Sequence, residues 1–210
     1  MTPQTSTRLE PRKSPVQARS TASVDAILKA TVQVLLRVGK EKLTTTRVAA
    51  RAGVSVGTLY QYFPNKRALL RAALKLHVEE ILAEVDKVCV AQRGRPVEQM
   101  VEALAVASLA VKLRDPKKGR ALYAVSSDVE GAKIAADAEA RAKDALVGLL
   151  KSAPEMLKTD LQLMATVLQS VIAGMKRGLL QPDMPEEQFE VMQRELVLVL
   201  RNYVRACVGH

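Results

Sequence analysis

Apolar residues recur at three- and four-residue intervals along nearly the whole chain, and the runs are separated by glycine, proline or short polar clusters. That period belongs to amphipathic helices and not to strands. Val24, Ile27, Leu28, Thr31, Val34, Leu35 and Val38 form the first run, which ends at Gly39 and predicts a helix over about 22–38 with a glycine cap. Val48 and Ala49 mark the inner face of a short second helix that Gly53 breaks, and Val54 tucks into the turn. Leu59 and Tyr62 return to the inner face of a third helix, stopped by Pro64. Asn65 is placed to cap the next, a long helix over roughly 66–90 striped by Leu70, Leu74, His77, Ile81, Val85 and Val88. Five more helices follow at about 97–113, 117–126, 128–152, 157–180 and 186–208, with breaks at Asp115-Pro116, near Ser127, at Pro154 and from Gln181 to Pro185. The expected fold is all-α, with about nine helices.

The segment from Thr44 to Lys66 specifies more than periodicity. Two helices that cross tightly need a small residue at the contact, which is Ala49, and a residue tolerant of positive φ in the turn, which is Gly53. Ser55 follows that turn where its hydroxyl would accept from an orphan amide of the third helix, and Thr45 or Thr46 would do the same for the second; such capping hydroxyls at a helix N-terminus are also where a DNA phosphate would dock, so Thr45, Thr46 and Ser55 are candidate DNA-binding residues. Val56, Gly57, Thr58, Tyr60 and Gln61 are then left on an outer face narrow enough to enter a DNA major groove. Tyr62 and Phe63 read as core, with the Tyr62 hydroxyl available for a contact. Arg47, in the first turn of the second helix, is a candidate for a base or phosphate.

Charge sharpens the picture because it is segregated. Residues 1–75 hold fourteen Lys and Arg against three acidic residues, a net of +11, whereas residues 76–210 have a net of −1. A charge run by itself reads as a solvated face, but solvation gives no reason for the balance of the other two-thirds. A positive field concentrated on a groove-sized helix pair is the footprint of a phosphate-backbone partner. Residues 1–20, with Pro3, Pro11 and Pro15 among Arg8, Arg12, Lys13 and Arg19, read as a flexible basic arm. The expected organisation is that arm, a helix-turn-helix domain over 21–72 and a helical domain over 73–210.

Other chemistry is not encoded. The chain lacks HExxH, GxSxG, P-loop and GxGxxG patterns, and it has only two histidines, His77 and His210. Cys89 and Cys207 stand far apart without a metal-ligand neighbourhood, so no metal, cofactor or enzymatic activity is expected. No apolar run approaches the roughly 18 residues of a membrane span. The first twenty residues contain no apolar core of the kind a secretory signal needs. A cytoplasmic protein without a membrane partner is the expectation. The last two helices are the most apolar: Leu161, Met164, Leu168, Val171 and Ile172 line one, and Val191, Leu196, Val197, Leu198, Val199, Leu200 and Val204 crowd the other. A helix apolar nearly all round is buried in a core or an interface, so helices 157–180 and 186–208 are expected to form a homodimer through a four-helix bundle.

Thr44 to Lys66, with Leu69 and Leu70 after it and GTLYQYFPNK at its centre, resembles the N-terminal domain of the TetR family of bacterial transcriptional regulators. The resemblance covers about residues 15–75; beyond that only size and helical architecture agree. It implies a dimeric transcriptional repressor that binds a palindromic double-stranded DNA operator and is released by a small-molecule effector. On the same basis Tyr60 matches a DNA-contacting position and Lys66 resembles a phosphate-binding lysine. His77, Ser108, Tyr123 and Asp128 are candidate polar points in an effector pocket of unknown ligand. The alternative is a basic protein that binds DNA or a membrane surface without sequence preference or effector control; it leaves the base-facing helix and the apolar C-terminal half without a role.

Overall fold

Leu, Ala, Val, Lys, Arg and Glu favour helix in most windows of the chain, and helix is what the computed structural model contains. It describes residues 18–178 and 186–209. Among these, nine α-helices run in order: α1 Ala18–Lys42, α2 Thr45–Ala52, α3 Val56–Tyr62, α4 Lys66–Ala91, α5 Val97–Arg114, α6 Pro116–Val125, α7 Gly131–Leu150, α8 Leu161–Gly178 and α9 Glu186–Cys207. A 3-10 turn, Ser126–Asp128, joins α6 to α7. Most of the basic arm expected at 1–20, and the break expected from Gln181 to Pro185, lie outside the described residues. α1 begins earlier than its apolar stripe, and Gly39 interrupts it at φ 74°, ψ 170°, so the expected glycine stop is a kink followed by a short turn to Lys42.

The helices fall into two compact units. The first comprises the described residues through Val78 together with Lys117–Ala135; the second comprises Glu79–Pro116 and Ala136 onward. The boundary expected at residue 72 falls within α4, and residues 117–135, read from sequence as part of the C-terminal half, group with the N-terminal segment. Sequence periodicity shows that these residues have an apolar face; it carries no information on what covers it.

In the first unit, Ile27, Leu28, Val34 and Leu35 of α1 pack with Leu43, Val48, Ala49, Leu59, Phe63, Leu69, Leu70 and Leu74. Leu122, Val125, Val129 and Ile134 belong to the same core, and the first three are fully buried. Thr31 is also fully buried, its hydroxyl donating to the Ile27 carbonyl at 2.7 Å, so no polar group is stranded there. Polar contacts seal the rim around the 126–130 turn. The Arg67 Nε donates to the Asp128 carbonyl at 2.9 Å, the Lys40 ammonium pairs with the Asp128 carboxylate, and Arg71 lies 3.7 Å from the Glu130 carboxylate.

In the second unit, α5, α7, α8 and α9 enclose Val97, Met100, Leu104, Leu109, Leu146, Leu150, Met164, Leu168, Leu196, Leu200 and Val204. Pro96 offers no side-chain cap to α5, and the Glu155 carboxylate takes that place, accepting from the Val97 amide at 3.1 Å. Glu98 on α5 accepts from Arg205 and Arg201 on α9 at 2.9–3.1 Å, which holds its carboxyl below the usual carboxylate range. Cys89 and Cys207 are both buried, and burial pushes the Cys89 thiol up to about 11, away from the reactive thiolate. Leu168 is only 1% exposed within this core, so it is not available to a partner chain, and of the two readings of this apolar helix, core or interface, that position takes the core. Val191, Leu198 and Val199 of α9 are exposed at 46%, 53% and 47%. α9 is thus apolar on two sides, and α8, whose stripe residues Met164, Leu168 and Ile172 are buried, also exposes Leu163 at 55%.

Candidate DNA interface

Leu43, 1% exposed, anchors the chain just before α2. The following residue, Thr44, is extended at φ −128°, ψ 152°, and its hydroxyl accepts from the Arg47 amide at 3.3 Å. Thr44 is therefore the cap that sequence reading gave to Thr45 or Thr46, because the buried leucine sets which of three consecutive threonines stands outside the helix. Val48 and Ala49 are buried as expected. At the far end Gly53 adopts φ 70°, ψ 28°; its amide donates to the Ala50 carbonyl at 3.3 Å, and the Val54 amide to the Ala49 carbonyl at 3.0 Å. This paired closure needs the left-handed backbone that glycine adopts without a Cβ penalty.

Ser55 then caps α3, accepting from the Thr58 amide at 2.9 Å, with the two hydroxyls 2.8 Å apart. Leu59 is fully buried and Tyr62 half-buried against the same core. The outward residues Val56, Gly57, Tyr60 and Gln61 are exposed, and Thr58 is half-buried. The Tyr60 hydroxyl lies 3.1 Å from the Thr45 hydroxyl, a direct link between α3 and α2. That bond orients the phenol ring before any partner arrives. Tyr60 remains 40% exposed.

The cations are less free than sequence reading supposed. The Arg47 guanidinium donates to the Lys42 carbonyl at 2.9 Å, and the half-buried Lys66 ammonium donates to the Lys40 carbonyl at 2.7 Å. Arg51 donates to the Gln33 side chain at 2.6 Å, tying α2 to α1. Thr46 is exposed and Thr45 half-buried. Asn65 caps α4 as expected, accepting from the Ala68 amide at 2.8 Å. Of the contacts that sequence reasoning missed, the Thr44 cap is local and turns on the burial of the adjacent Leu43, whereas Lys40 as a junction to Lys66 and Asp128 depends on chain separations that no local pattern reveals.

The residues proposed for an effector pocket are divided between the two units, with His77, Tyr123 and Asp128 in the first and Ser108 in the second. Asp128 is engaged by Lys40, whose pKa is raised first by that hydrogen bond, and Tyr123 is 74% exposed. His77 is half-buried on α4 in the first unit, and Ser108 is buried on α5 in the second. The second unit carries an open groove of about 430 Å³ lined by Glu102, Val106, Glu190, Gln193, Arg194 and Val197, none of them among the four. No group of three His, Cys, Asp or Glu able to hold a metal occurs among the described residues, and no described helix is long and apolar enough to cross a membrane.

Comparison with known proteins places this geometry. Residues 27–73 match the model of the bacterial regulatory proteins of the tetR family, and residues 96–203 match that of the tetracyclin repressor-like C-terminal domain. The HTH-type transcriptional repressor KstR of Mycolicibacterium smegmatis is 42% identical over 74 residues, 35% of this chain and 36% of that protein. The aligned part thus spans about a third of that relative's length. A TetR-family transcriptional regulator from Mesorhizobium loti superposes with a TM-score of 0.76 at 15% identity, over 92% of this chain and all of that one, which shows a shared fold. Another, from Shewanella sp. PV-4, gives 0.61 at 25% identity over 90% of this chain and 99% of that one. With one family model on the helix pair built around Gly53 and a second on more than half the chain's length, the chain belongs to the tetR family of bacterial regulatory proteins.

Proposed function

We propose that this protein is a homodimeric, cytoplasmic transcriptional repressor that reads a palindromic operator with α3 and releases it when a small molecule binds the second unit. The observation that carries the reading is the α2–Gly53–α3 pair, with Val56, Gly57, Tyr60 and Gln61 exposed and Thr58 half-buried on the basic segment of the chain. The repressor names carried by relatives such as KstR and the tetracycline repressor of class C support it. Exposed Val191, Leu198 and Val199 on α9 support the dimer, since two copies of α3 must be spaced by about one helical turn of DNA to read two half-sites.

Selection of bound sequences from a random duplex library by the purified chain tests the reading. Recovery of a palindromic motif is expected; binding that depends on salt but enriches no sequence would instead mark a non-specific basic protein. On the selected duplex, Tyr60→Ala and Gln61→Ala are each expected to weaken binding by about 1–3 kcal/mol, with little change on a scrambled duplex. Fluorescence anisotropy at fixed salt measures both. Unchanged affinity of the Tyr60 variant would move the reading surface off this face of α3.

A further inference from the structure

Gly57 stands within α3, one residue after its start, and the fold gives no reason for a glycine there. A Cβ added at Gly57 would meet only the Ser55 hydroxyl oxygen at 3.7 Å, an ordinary contact. The contrast with Gly131 is sharp, since a Cβ there would lie 2.5 Å from the Ser126 Cβ and 2.7 Å from its carbonyl oxygen. Gly53 has its own reason in the left-handed turn. A glycine inside a helix leaves the folded state less favoured than alanine would, and α3 is only seven residues long. Openness alone does not single out Gly57, because Gly148 in α7 is equally open. What singles it out is its face. Positions 57, 60 and 61 are related by three and four residues, so they share one side of the helix, and Tyr60 and Gln61 on that side are exposed. Gly57 leaves a notch in the backbone next to the two side chains best placed to reach base edges.

We infer that Gly57 is a clearance position: its missing side chain sets how deeply α3 seats in the major groove, and therefore whether Tyr60 and Gln61 reach the bases. The inference rests on the proposed reading of α3 as the DNA-reading helix. It predicts that stability and specificity move in opposite directions when the notch is filled.

The experiment uses the full chain with a duplex recovered by the wild-type protein from a random library, and a scrambled duplex of equal length. Gly57→Ala should raise Tm by about 1–3 °C while weakening the selected duplex about tenfold, and Gly57→Leu should weaken it further, about a hundredfold. Affinity for the scrambled duplex should change less than about threefold, because that binding is electrostatic and tolerates a lifted helix. Gly148→Ala should leave both affinities at the wild-type value. Wild-type affinity of Gly57→Ala for the selected duplex would overturn the inference, as would a fall in Tm or an equal loss on both duplexes, either of which marks a folding effect. A wild-type protein that selects no sequence would overturn the DNA-reading role of α3 itself, and this inference with it.

Discussion

Leu122→Asp is expected to abolish sequence-specific DNA binding, although Leu122 lies sixty residues beyond the end of α3. Leu122 is fully buried in the same core as Leu59, Phe63 and Leu70, the residues that hold α3 and α4 in place. A carboxylate there has no partner in an apolar core, so the change should cost about 4 kcal/mol or more, most of the stability of a small unit at the lower end of the usual range of about 5–15 kcal/mol. Leu122→Met conserves volume and apolarity and should cost less than about 1.5 kcal/mol. Thermal unfolding followed by circular dichroism, alongside anisotropy on the selected duplex, checks both variants. If the Asp variant kept the wild-type Tm and affinity, α6 would have no part in the DNA-reading core.

The second large effect concerns α9. Leu198→Asp should leave each protomer folded, because Leu198 is 53% exposed within it, yet dissociate the proposed dimer by leaving an unpaired charge in the interface at a cost of several kcal/mol. Operator affinity should then collapse, since a lone protomer reads a single half-site, while binding to scrambled DNA, which is electrostatic, falls much less. Sedimentation equilibrium separates the outcomes: a wild-type dimer and a folded variant monomer are expected. Leu168→Asp offers the contrast. At 1% exposure it sits in the protomer's own core, so that variant should unfold and not merely dissociate. A Leu198 variant that stays dimeric would place the interface on another surface.

These two leucines also mark where sequence reasoning reaches its limit. Both lie on strongly apolar helices, for which the sequence leaves a core and a partner face equally open. Helical periodicity identifies an apolar side without saying whether the neighbour is α7, α9 or another chain. The α2–α3 pair was legible almost residue by residue because its determinants are local: a glycine in the left-handed region at Gly53, a hydroxyl cap at Ser55, a fully buried leucine at Leu59. The cap of α2 was misread within a run of three threonines, where the choice depends on the burial of Leu43. The ion pair of Asp128 was illegible for a different reason. Its partner Lys40 is eighty-eight positions away, and an acidic residue in a polar turn carries no mark of the cation it will meet.

The first unit is drawn from two stretches of the chain, with the second unit's residues 79–116 between them in sequence. A gene that exchanged its regulatory half by one crossover after residue 78 would keep Leu28, Leu59 and Leu70 but lose Leu122, Val125, Val129 and Ile134, and with them part of the shared core. The incoming segment would have to supply matching apolar residues, a carboxylate for Lys40 and a carbonyl for Arg67. The two roles proposed above, DNA reading and ligand response, would therefore be inherited together through packing, and a folded chimaera needs residues 117–135 to travel with the helices that they complete.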